Sequence, residues 1–131
     1  MTELQAVSLY IGANLLIILI LGLNVIRFRR STKTSLGHGG HDALERACRA
    51  HANASEWTPG ALIGLALMAL IGAPIMAIHA IGLSLTVGRA LHGWGLSSNA
   101  GTSFGRLFGM LLTLLVYLAL AIGLIGHAVT G

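Results

Sequence analysis

Three stretches of this chain contain no Asp, Glu, Lys or Arg: Leu4–Ile26 with 23 residues, Trp57–Gly88 with 32, and Leu107–Gly131 with 25. A helix needs about 20 apolar residues to cross a bilayer, so the first and third runs predict one spanning helix each. The middle run is interrupted by Gly72-Ala73-Pro74, a turn signal at which one helix ends and another begins. The predicted fold is all-α, an integral membrane four-helix bundle forming a single domain over residues 1–131. Its helices are expected at approximately 4–27, 42–71, 74–96 and 104–128. Composition supports the bilayer: 55% hydrophobic and 9% charged residues, with a mean hydropathy of +0.82, are too apolar for a soluble core of this size.

The few charges are distributed unevenly. The first run has no basic segment before it and no small-residue cleavage site after it, so it reads as a helix and not as a cleavable signal peptide. Arg27, Arg29, Arg30 and Lys33 follow it. The positive-inside bias puts this cluster in the cytoplasm and both termini outside, with the 27–45 and 96–106 connections inside. All eight Lys and Arg residues then lie at or near the cytoplasmic face. The net charge of +4 and pI near 10.3 follow from that topology, and no nucleic-acid partner is inferred from them. The lone Cys48 cannot form an intramolecular disulfide and is read as a packing residue. His38 and His41 lie in a polar, Gly-rich connection without further ligands at metal-binding spacing, so no metal site is expected. Asn14 and Asn24 interrupt the first helix, and in lipid such side chains bond to neighbouring helices.

The second helix carries the unusual chemistry. Asp42 and Glu45 fit a variant capping box at its start. At about 100° per residue, Arg46, Arg49, Asn53 and Glu56 fall near 0°, 300°, 340° and 280°, a single polar stripe with Glu45 at its edge. Counting about 20 residues back from the outer end at Ile71 reaches Ala52. Asn53 and Glu56 thus sit at the membrane boundary or within it. A carboxylate at that depth must face protein, so the stripe is expected to turn inward, toward other helices. Pro59 follows and should kink the helix. Gly60/Gly64 and Gly105/Gly109 are spaced for close helix packing.

Two further cations belong with the stripe. Arg89 and His92 lie one turn apart on the third helix, with Arg89 some 22 Å from its outer end. Arg106 lies in the first turn of the fourth helix, where a cation opposes the helix dipole, and shares a face with Thr113 and Tyr117. The cytoplasmic halves therefore offer Arg46, Arg49, Arg89 and Arg106 with Asn53, His92 and Glu56. Surplus arginine suits a ligand with two or more carboxylates and one ammonium, the inventory of glutathione. A cation beside a thiol also favours the thiolate. An internal salt-bridge network that only pins the bundle is the alternative on residue types alone.

The segment Arg46-Ala-Cys-Arg49-Ala-His51-Ala-Asn53-Ala-Ser-Glu56-Trp-Thr-Pro59 resembles the signature of the MAPEG family, the membrane-associated proteins of eicosanoid and glutathione metabolism. That family includes microsomal glutathione transferases and leukotriene C4 synthase. Ser35–Gly40 and Gly88–Gly95 are similar to its small prokaryotic branch, and the resemblance covers nearly the whole chain. It implies a homotrimer with glutathione bound between protomers toward the cytoplasm, and a lipophilic electrophilic substrate arriving from the bilayer of the cell's inner membrane. By matched position, Arg49, Asn53 and Glu56 would contact glutathione, Arg89 would hold a carboxylate, and Arg106 would stabilise the thiolate. Arg27, Arg29 or Arg30 would reach across the protomer boundary. Trp57 and His92 stand where several relatives carry tyrosine, as does Leu96.

The reading is a membrane-bound glutathione transferase or peroxidase-like protein acting on lipophilic electrophiles or hydroperoxides. Two alternatives stand beside it. One is a small proton-coupled exporter using Glu56 as its intramembrane carboxylate. The other is a non-catalytic membrane protein that binds lipid or glutathione.

Overall fold

The computed structural model describes residues 1–131, in four helices without strands: α1 Glu3–Thr32, α2 Asp42–Leu70, α3 Ile75–Ser98 and α4 Phe104–Thr130. α1, α3 and α4 are long and apolar enough to cross a bilayer. α2 has the length for it, about 44 Å at 1.5 Å per residue, and carries the polar stripe. α2 and α3 touch every other helix, whereas α1 and α4 flank them without meeting. The most extensive packing is between α3 and α4.

The helix ends follow local chemistry. At the start of α1 the Thr2 hydroxyl accepts from the Gln5 backbone N–H at 3.2 Å, while the Gln5 side chain accepts from the Thr2 N–H at 2.9 Å, a reciprocal cap. α1 runs past residue 27 to Thr32 because Arg29 and Arg30 place positive charge in its last turn, where the helix dipole favours it. Lys33 closes it in the left-handed conformation at φ 53°. Arg29 then donates to the carbonyls of Thr34 at 3.3 Å and Gly37 at 2.9 Å, tying down the connection. The capping box expected from Asp42 and Glu45 does not form. His41 is the N-cap of α2 and makes no side-chain cap bond. Both acids sit instead in the first turn, beside the positive end of the dipole.

Between α2 and α3 the break falls at Gly72, whose φ of +70° lets the chain reverse before Pro74. The α3–α4 seam is glycine-lined. A Cβ on Gly109 would stand 2.5 Å from the Gly88 carbonyl oxygen, and one on Gly105 2.8 Å from the Leu91 carbonyl. Backbone meets backbone there, which brings Arg106 close to α3.

The main core is apolar and joins all four helices through Tyr10, Leu65, Ile78, Leu85 and Val116. A polar clamp ties α1 to α3 beside it. The Asn14 amide donates to the Tyr10 carbonyl and to the Thr86 hydroxyl, each at 2.9 Å, and the Tyr10 hydroxyl lies 2.8 Å from His79 Nδ1. Asn14 thus bonds across helices, as a polar side chain in lipid must.

Candidate functional site

Seen from α2, the packing is set by small residues. Ala47, Ala50, Ala54 and Ala61 are all buried, and at about 100° per residue they centre near 70° on the scale that puts Arg46 at 0°. Arg46 and Asn53 lie on the shoulder of that face and are half-buried against α3. Arg49 and Glu56 lie much farther round and are exposed, Arg49 along the wall of a polar cavity and Glu56 on the outside of the protomer. The inward-facing stripe expected from depth is therefore split. Glu56 turns away from the bundle because the alanine face, and not the charges, sets the rotation of the helix.

A polar cavity of about 380 Å³ opens at the end of the bundle where the α1–α2 and α3–α4 connections lie. Asp42, Glu45, Arg46 and Arg49 of α2 line it together with Leu96 of α3, Ala100 of the connection and Arg106 of α4. Two of the arginines are anchored on backbone carbonyls: Arg46 Nε donates to Ser97 at 3.4 Å, and Arg106 Nη1 to Gly101 at 3.4 Å. Ser103 caps α4 by accepting from the Arg106 backbone N–H at 3.3 Å. This cap fixes the turn that carries the guanidinium.

Below the cavity lies a second layer. Arg89 is 1% exposed, and its Nη1 donates to Asn53 Oδ1 at 2.8 Å. Its Nη2 lies 4.0 Å from Met110 Sδ, and its Nε has no partner. No carboxylate is among its partners. His92, one turn farther along α3, is 5% exposed and packs on the Gly109 face of α4. Deeper still, the Tyr117 hydroxyl donates to the Trp57 carbonyl at 2.7 Å, with the two rings edge to face at 5.3 Å. Gly60 leaves room for that hydroxyl, since a Cβ there would come within 2.6 Å of it. α2 stays helical through Pro59.

The structure thus gathers Arg46, Arg49 and Arg106 in one cavity, stacks the Asn53–Arg89 pair and His92 beneath it, and leaves Glu56 on the outer surface. Asp42 and Glu45 are the charged lining residues that the motif reading did not assign to the site. A signal for them existed: carried back one turn, the polar stripe passes through Asp42 near 320°, close to Glu45 at its edge. Cys48 packs toward the end of α1, with Arg29 Nη2 3.5 Å from its sulfur.

Comparison with known proteins bears on this arrangement. The sequence model of the MAPEG family matches residues 7–126. The chain is 32% identical over 88 residues to "Inner membrane protein YecN" of Escherichia coli K12, an alignment spanning 67% of each protein. The protein of the same name from Escherichia coli O6:H1 aligns equally well. No solved structure matches the chain.

Proposed function

This chain belongs to the MAPEG family, and from that premise we propose that it is a membrane-bound, glutathione-dependent transferase or peroxidase-like protein of the inner membrane. Its family is associated with glutathione metabolism. The observation that carries the reading is the cavity in which Arg46, Arg49 and Arg106 converge with Asp42 and Glu45. Glutathione has two carboxylates, one ammonium and a thiol. Three guanidiniums match the carboxylates and a developing thiolate, and the two acids match the ammonium.

In this reading Arg106 stabilises the thiolate. Its backbone is fixed by the Ser103 cap and its side chain by Gly101, so the charge is held in place before the ligand arrives. Thiol ionisation releases a proton to solvent at the cavity mouth. The sulfur then attacks an electrophilic carbon, the C–S bond forms, and the leaving group departs with its electron pair. Asn53 and Arg89 act together, Arg89 holding the amide oxygen and leaving the Asn53 NH₂ to face the ligand. Arg49 and Glu56 are exposed on the protomer, which supports a homotrimer in which a neighbouring copy closes over them. The basic run Arg27–Lys33 supports an orientation with the site toward the cytoplasm and both termini outside.

The test is glutathione titration of purified protein, read by thiolate absorbance and by binding. Wild type should bind at millimolar concentration or better and generate thiolate. Arg106→Ala should lose the thiolate signal while keeping the oligomeric mass. Absence of both binding and thiolate in wild type overturns the proposal. Binding with thiolate but no turnover over a panel of electrophiles and hydroperoxides would replace the enzyme by a non-catalytic binding protein.

A further inference from the structure

A second cavity lies on the other side of the bundle, between α1 and α3, with a volume of about 520 Å³. That size falls in the usual range for ligand sites, roughly 300–1,000 Å³. Its walls are apolar, formed by Ile17, Ile20 and Leu23 of α1 and by Ala90 and Trp94 of α3. Ile20, Leu23 and Trp94 are all more than half exposed, Trp94 at 67%. The groove therefore opens sideways, toward where acyl chains would be. From Ile17 to Arg27 it runs along ten residues of α1, about 15 Å.

Its polar groups are gathered at one end. Arg27, Asn24 and Ser97 line the groove at the end nearest the α1–α2 connection. The Ser97 hydroxyl oxygen is buried without a hydrogen-bond partner. The Arg27 guanidinium is exposed, stacked 4.8 Å from the Phe28 ring centroid. Arg30 lines an adjoining cavity with Arg27, so positive charge continues past the rim. Trp94 is the aromatic that favours the headgroup level of a bilayer. An apolar slot of helix length, ending in one free cation and two neutral hydrogen-bonding groups, is complementary to a single amphiphile: an acyl chain with a phosphate at its end.

From this the geometry points to a structural lipid site, in which an anionic phospholipid of the cytoplasmic leaflet lays one acyl chain in the α1–α3 groove and sets its phosphate on Arg27, with Asn24 and Ser97 as hydrogen-bonding partners. The site is separate from the polar cavity: the two share no lining residue. Its failure would leave the glutathione reading untouched. The lipid also gives the backbone-anchored pair Arg46–Ser97 a neighbour, because Ser97 presents its carbonyl to Arg46 and lines the groove.

The experiment is native mass spectrometry of protein purified in mild detergent, with phosphatidylglycerol or phosphatidylethanolamine added in equal amounts. Wild type should retain one phosphatidylglycerol per chain in preference to phosphatidylethanolamine. Arg27→Gln should reduce that preference about fivefold, the weight of one basic residue near an anionic headgroup. Ala90→Phe fills the slot from an exposed position and should remove retention of both lipids while circular dichroism stays unchanged. Equal retention of the two lipids by wild type overturns the proposal, as does unchanged preference in Arg27→Gln. Loss of the oligomer in Ala90→Phe would show that a second copy, and not a lipid, covers the groove, and would also overturn it.

Discussion

Among the residues, the Asn53–Arg89 pair is the most constrained. A guanidinium taken out of water with one amide acceptor, one thioether and an orphaned Nε is held by very little, and hydrogen bonds to charged groups contribute about 1.5–3 kcal/mol each. Asn53→Ala removes the acceptor and leaves the cation behind, so it is expected to lower stability by that amount even without ligand. Unfolding in mixed micelles, followed by circular dichroism, measures it. An unchanged midpoint would show that Asn53 matters only through ligand contact. The sequence identified both residues and put them near each other, but it treated each as reaching for a ligand. It could not see that one is the other's partner, because the angle between α2 and α3 is set by alanines and glycines that carry no charge pattern. Glu56 teaches the same lesson. Depth along the helix was countable from the end of the apolar run, whereas rotation was fixed by Ala47, Ala50, Ala54 and Ala61, so Glu56 faces away from the bundle.

At the level of helices, the position of Arg106 depends on how tightly α4 lies on α3. Four glycines decide this. Gly88 and Gly109 oppose each other across the seam, and Gly95 and Gly105 do so one to two turns nearer the cavity, where a Cβ on Gly95 would stand 2.6 Å from the Arg106 backbone nitrogen. Gly109→Ala is expected to push the helices apart and cost about 1–3 kcal/mol, the usual range for forcing atoms into a packed contact. Gly126→Ala, with nothing within 4 Å of the added carbon, should be neutral or stabilising through helix propensity. Paired thermal unfolding curves test the contrast, and equal effects would refute the seam. The helix count and the turn at Gly72–Pro74 were legible because they rest on the length of uncharged runs and on backbone chemistry local to a few residues. The failed Asp42–Glu45 cap was not. Its pattern fits, but the chain enters α2 through His41, and both carboxylates remain available to the cavity.

For the molecule as a whole, the single protomer leaves a charge problem. Arg49 and Glu56 are exposed on a helix that the apolar runs place across the bilayer, and a carboxylate facing hydrocarbon costs several kcal/mol unless protein or water covers it. Arg49 has Asp42 and Glu45 beside it in the polar cavity. Glu56 has no such neighbour, so a second copy of α2's neighbourhood is the natural cover, and a closed ring of identical contacts is a symmetric way to supply it. In the proposed trimer, Arg49 of one copy and Glu56 of another are expected to contribute to the same contact region. Charge reversal makes this testable. Glu56→Arg alone should shift the native mass from three chains toward one, since like charges then oppose across the contact. The double variant Glu56→Arg with Arg49→Glu should restore the trimer if the two side chains meet between copies. Full trimer in the single variant would mean that Glu56 lies outside the interface and is solvated in some other way. Failure of the double variant to recover would mean that both residues lie in the interface but do not pair with each other, and the anion site would then be shaped by their separate contacts with ligand.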